Sequence, residues 1–218
     1  MKRIIFIVFL VLSSYAQAEA ILDEAVIRLE QNATDKDAEV VFEVTGGNEG
    51  LSALKVVAPD GRVLIDFKAE GSKMGFRHFN LESPEPTNDG KIQADFPAGE
   101  YNFTASSVSG AKLSGKAKLS HKLPDAVTIL QPREEQKIPV NGFKIKWSAV
   151  KNLAAYKVSI EQEKSGIKLN AHLSGTTTTF SIPDGFLLPK TEYKVAVTTV
   201  SKEGNFTSVE TNFETAAK

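Results

Sequence analysis

Cysteine is missing from all 218 residues, so no disulfide can brace the fold, and neither a thiolate zinc site nor a cysteine nucleophile exists. Histidine is scarce, and His78, His121 and His172 show no metal-ligand spacing. Neither sign of charge dominates, with 26 basic residues against 27 acidic ones. Helical periodicity is absent, which excludes a helical bundle. Only Ile4 to Leu12 runs without a polar residue. That stretch is shorter than the roughly 20 apolar residues a membrane-spanning helix needs.

What is present begins with that stretch. Lys2 and Arg3 precede it and Ala16-Gln17-Ala18 follows it, the charged, apolar and small-residue order of a secretory signal. Residues 1–18 are therefore expected to be a signal peptide cleaved before Glu19. Without Lys2 and Arg3 the 26 basic residues become 24 against 27 acidic ones, a net charge of −3. Such a chain has no field to hold nucleic acid or anionic lipid, so the expectation is no nucleic acid and no membrane insertion after cleavage. Export without cysteine points to a Gram-negative bacterium and a periplasmic or secreted product. Asn32-Ala33-Thr34, Asn102-Phe103-Thr104 and Asn205-Phe206-Thr207 match the glycosylation acceptor pattern and are read as chance in that setting.

Period-two alternation recurs along the rest of the chain, the pattern of an all-β protein. A first strand is expected over Ala25 to Gln31, and Val40, Phe42 and Val44 share one face of the next. Leu54, Val56 and Ala58 lead through Pro59-Asp60-Gly61 into Val63, Ile65 and Phe67, a hairpin. Further strands are expected over Met74 to Leu81, Lys91 to Phe96 and Ala111 to Ser120. The segment from Glu82 to Gly90, with Pro84 and Pro86, reads as a loop. Beyond Leu123-Pro124 come Phe143, Ile145 and Trp147, then Tyr156, Val158 and Ile160, then Tyr193, Val195 and Val197, each one face of a strand, with Trp147 in the core.

Leu187, Pro189, Thr191 and Tyr193, followed by Val195 and Val197, resemble the tyrosine corner of fibronectin type III domains, where a tyrosine hydroxyl returns to a backbone group upstream. Phe96-Pro97-Ala98-Gly99-Glu100-Tyr101 looks like a second corner. The two tyrosines lie 92 residues apart in the sequence, close to one immunoglobulin-like domain of about 100 residues. The expected fold is all-β, two tandem β-sandwiches: an immunoglobulin-like domain over 19–122 and a fibronectin type III domain over 123–218. Ala58-Pro59-Asp60-Gly61-Arg62, Leu81-Glu82-Ser83-Pro84-Glu85-Pro86 and Leu119-Ser120-His121-Lys122-Leu123-Pro124 are similar to segments of a family of exported bacterial proteins with one fibronectin type III domain. That resemblance implies the layout and the location. It implies no mechanism.

Two sets of residues stand out chemically. Asp35, Asp37 and Glu39, with Glu30 and Asn32 beside them, offer closely spaced oxygen ligands of the kind calcium takes. An EF-hand loop starting at Asp35 would need glycine sixth and glutamate twelfth, and Val40 and Gly46 stand there. The alternative is a turn in which Asn and Asp cap backbone groups. His78, Glu82 and Glu85 place an imidazole near two carboxylates and are read as a partner-binding loop. Lys112, Lys116 and Lys118 alternate with apolar residues and suit an edge strand guarded against pairing.

No nucleophile and base can be paired from the sequence, so no catalytic residue and no cofactor is assigned, calcium being the one candidate ion. The expected function is a non-enzymatic exported binding or scaffolding protein of the bacterial envelope, its partner an envelope protein or glycan. A calcium-stabilised adhesion module is one alternative. A polysaccharide-acting enzyme using Glu82 and Glu85 is the other.

Overall fold

The computed structural model describes residues 20–217 except 70, 72 and 86–88. The expected signal segment and its cleavage point, with Pro86 of the loop, lie outside the described residues.

The first half builds β1 (Ala20–Ile21), β2 (Glu24–Asn32), β3 (Asp37–Thr45), β4 (Leu51–Val57), β5 (Val63–Lys68), β6 (His78–Glu82), α1 (Asp89–Asp95), β7 (Gly99–Ser107) and β8 (Lys112–Leu119). One sheet has the order β1-β8-β7-β4-β5, and β2, β3 and β6 pair side by side in another. Their inward rows interdigitate: Ile27, Leu29, Val40, Phe42 and Val44 from one sheet, Leu54, Val56, Tyr101 and Phe103 from the other. The β4–β5 hairpin turns at the expected place, where Gly61 takes a φ of 85° that a side chain would strain. Between β5 and β6 the chain crosses from one sheet to the other. Gly50 and Gly75 meet there, and a Cβ on Gly75 would lie 2.4 Å from the Glu49 carbonyl oxygen. The strand expected from Met74 therefore starts only at His78, and Phe76 makes a single bridge to Leu51.

The strand expected over Lys91 to Phe96 is instead helical through Asp95, within α1, with Phe96 just beyond its end. Ile92 and Phe96 share a face at a spacing of two strand repeats or one helical turn, so the apolar pattern fits both periods. The surroundings select the helix. The Phe96 N–H donates to the Ile92 carbonyl at 2.8 Å, and Ile92 is buried in the core. The Arg62 guanidinium, held by Asp60 at 2.6 Å, donates to the carbonyls of Ala94 and Asp95 at 3.1 and 2.9 Å and so satisfies the last turn.

The second half contains β9 (Ile129–Gln131), β10 (Gln136–Ile138), β11 (Lys144–Trp147), β12 (Leu153–Gln162), β13 (Ile167–Ser174), β14 (Thr179–Ser181), β15 (Glu192–Ser201) and β16 (Phe206–Thr215). A three-stranded sheet, β14-β11-β9, packs on β13-β12-β15-β16. Trp147, Tyr156, Val158, Val195, Val197 and Phe213 form this core. The Leu188 N–H donates to the Tyr193 hydroxyl at 2.9 Å, and the Tyr101 hydroxyl donates to the Pro97 carbonyl at 2.9 Å, so both expected corners are closed.

The halves are joined by pairing as well as by chain. β16 runs parallel to β2, with Phe206, Thr207 and Ser208 opposite Glu30, Gln31 and Asn32, while β10 pairs with the other end of β16. One sheet thus continues through β13-β12-β15-β16-β2-β3-β6. Strand alternation puts Val158 and Val197 of one core and Leu29 and Phe42 of the other on the same side of it.

Candidate binding face

The opposite side of the long sheet is mainly polar, with Val41 buried within it. In register across it stand His172, Lys157, Thr198, Ser208 and Asn32, with Glu30 opposite Glu39 beside them and Glu82 opposite Val41, two residues on from Glu39. Phe206 marks the join, and on it lie two cations: the Lys157 ammonium 3.8 Å and the Arg28 guanidinium 4.9 Å from the ring centre. Arg28 also pairs with Glu30 at 2.5 Å and Glu43 at 2.7 Å. Burial works against its charge, but the two carboxylates outweigh burial and hold its pKa above the ordinary arginine value. Lys157 is lowered, first by burial and then by the Arg28 charge, which together outweigh the opposing pull of Glu30 and Glu43.

Beneath the ring a buried side chain ties the join. Asn205 is 1 % exposed. Its carbonyl oxygen accepts the Leu29 N–H of β2 at 2.9 Å. Its amide donates to the Ser120 carbonyl at 2.8 Å, the Ser120 hydroxyl at 3.1 Å and the Lys122 carbonyl at 3.0 Å. Thr207 and Thr199 donate to the carbonyls of Pro124 and Asp125, and Thr34 accepts the Glu210 N–H at 2.8 Å. Two of the three glycosylation-like triplets, those at Asn32 and Asn205, therefore supply the join. The sequence signalled neither role, because a side-chain amide that bridges three segments leaves no periodic trace.

Each residue singled out in the sequence can now be placed. Asp35 sits in the β2–β3 turn, where Asn32 donates to its carboxylate at 2.8 Å and accepts the N–H of Thr34 at 3.0 Å, the capped-turn arrangement. Asp37 opens β3 opposite Asn32, and Glu39 stands opposite Glu30. Among the described residues no three His, Asp or Glu side chains gather as a metal-holding group. His78 begins β6, 3.8 Å from Glu43. Glu82 ends it and accepts the Asn80 amide at 3.1 Å, and Glu85 lies exposed in the loop beyond.

The two sets, widely separated in sequence, meet at Glu39. Its carboxyl is pushed up to about 7 by partial burial first, then by the charges of Glu82, Glu30, Glu85 and Asp37. Glu82 and Glu85 line neither recess found among the described residues. One, an open groove of about 960 Å³, includes Glu134, Glu163, Lys190, Lys194 and Glu214, and the other borders Leu22, Gly46 and Ser107.

No protein-family model matches the chain, and no curated protein does. Among solved structures it is similar to the FN1–FN3 domains of chicken CNTN1, with 9% identity and a TM-score of 0.35 over 91% of this chain and 69% of that one. A two-domain fibronectin type III segment of chicken tenascin gives 13% identity and a TM-score of 0.34 over 86% and 97%. A four-repeat extending region of a large adhesion protein gives 15% identity and a TM-score of 0.30 over 89% and 50%. The class rests on the strand order described above: an all-β chain of fibronectin type III-like sandwiches, in which a tyrosine corner and two packed sheets recur, five strands on three in the first half and three on four in the second.

Proposed function

We propose that this chain is a non-enzymatic binding or scaffolding protein of the bacterial envelope, periplasmic or secreted, with a signal peptide over 1–18 and domains over 19–122 and 123–218. The observation that carries the reading is the sheet continued across β16 and β2, locked by Asn205. A pair of sandwiches on a flexible linker moves as two bodies, whereas pairing between them makes a stiff spacer with one presented face. His78, Glu82, Glu39 and Arg28 are spread on that face, where a large partner can touch several at once. Purified protein immobilised through its C-terminus should enrich an envelope protein or glycan from extract at several salt concentrations. Enrichment of nothing at any of them refutes the reading.

A further inference from the structure

The edges of the sheets differ in how they are guarded. Beyond Ser114, where β1 stops covering it, β8 carries Lys116 and Lys118, and β13 at the far end of the long sheet carries Lys168. Lysines on an edge discourage a further strand. β6, the other end of the long sheet, has neither lysine nor proline, and its pairing with β3 from His78 to Glu82 runs without a register shift.

Its free backbone groups can be assigned. The Ser83 N–H donates to the Val40 carbonyl at 2.9 Å, and the Gly46 N–H donates to the Arg77 carbonyl at 3.0 Å. An antiparallel ladder repeats every two residues, so Arg77, Phe79, Leu81 and Ser83 turn to β3 while His78, Asn80 and Glu82 point their N–H and C=O groups outward. No strand among the described residues meets them. On the core side of this edge Leu81 is 43% exposed, and Phe79 continues an aromatic row through Phe67 and Phe76. On the outer side stand Glu82 and, one strand in, Glu39, with Glu85 just beyond.

We propose that the β6 edge takes one further strand from a partner protein, an extended segment in which lysine or arginine alternates with apolar residues. Its backbone bonds to His78, Asn80 and Glu82, its apolar side chains lie beside Phe79 and Leu81, and its cations lie beside Glu82 and Glu39. The proposal rests on the binding-protein reading and names the surface and partner chemistry for it. A cation seated there also offsets the repulsion from Glu82 that, after burial, keeps the Glu39 carboxyl protonated up to about 7.

The test uses the whole mature chain and three capped octapeptides: alternating lysine and valine, alternating glutamate and valine, and the lysine–valine composition with the lysines in one block. Titration calorimetry is expected to show the alternating lysine peptide binding at least tenfold more tightly than the other two. Amide exchange should slow at His78, Asn80 and Glu82 and stay unchanged at Phe79 and Leu81, which already bond to β3. Asn80→Pro removes an outward N–H at an edge position where proline is tolerated, and should abolish binding. Glu82→Lys should weaken it at least tenfold without lowering the unfolding midpoint, since it also relieves the repulsion on Glu39. Equal binding of the blocked lysine peptide, or unchanged affinity in Asn80→Pro, overturns strand addition. Self-association of the chain that Asn80→Pro abolishes makes a second copy the occupant and overturns the choice of partner. If the extract partner is still captured by Asn80→Pro, the edge proposal fails and the binding-protein reading stands.

Discussion

Replacing Asn205 with alanine removes a side chain that ties β2 and the connecting segment to the β15–β16 turn that carries it. The substitution leaves the buried Leu29 N–H without an acceptor, at about 1–3 kcal/mol. It also removes the donors to the Ser120 and Lys122 carbonyls, each net bond contributing about 1 kcal/mol. A loss of about 3–5 kcal/mol follows, which for a chain of this size lowers the melting midpoint by about 10 °C. Where the loss appears matters as much as its size. Trp147, the single tryptophan, lies in the second core and reports that half, while far-ultraviolet circular dichroism reports both. In the parent the two signals should change together in urea, since unfolding either half strips the β16–β2 pairing from the other. In Asn205→Ala both should shift to lower urea and separate. Coincident transitions moved by less than about 0.5 kcal/mol would refute the claim that this residue couples the halves. Separate transitions already in the parent would show that the join is a contact without energetic weight.

Tyr193→Phe strands the Leu188 N–H and should cost about 1–2 kcal/mol by Trp147 fluorescence in urea. Tyr101→Phe strands only the Pro97 carbonyl, which has a second lone pair for water, and should cost about 0.5–1 kcal/mol. Glu39 has a folded pKa of about 7 against an ordinary 4.5, so its contribution is fully present below about 4.5 and is lost as pH rises through about 7. Glu39→Gln should therefore match the parent in acid and melt higher than it above pH 7, and equal melting at pH 8 would refute the shift. Millimolar calcium is expected to leave the melting midpoint unchanged, because Asn32 already holds the Asp35 carboxylate. A rise lost in Asp37→Asn would instead establish a calcium site at Asp35, Asp37 and Glu39.

The sequence by itself determined what repeats locally. A sheet that buries one face must place apolar residues at every second position, so Val40-Phe42-Val44, Leu54-Val56 and Tyr193-Val195-Val197 announced their strands and their inward faces. Corner tyrosines were legible for a similar reason, since Tyr101 and Tyr193 reach acceptors or donors only four and five residues away. Tertiary structure decided the rest. Ile92 and Phe96 suit either a strand or a helix, and only the capping by Arg62 and the space over the core selected α1. Glu39 acquired its unusual proton affinity from burial first and then from the charges of Glu82, Glu30 and Glu85, with Glu82 brought near by the β3–β6 pairing. The join between the halves left no mark in the pattern. β16 and β2 meet through backbone groups that every residue carries, and Asn205, Thr207 and Thr34 secure them with single polar side chains. Periodicity records which way a side chain faces across its own strand, and pairing between distant strands depends on where the folded chain brings their edges together.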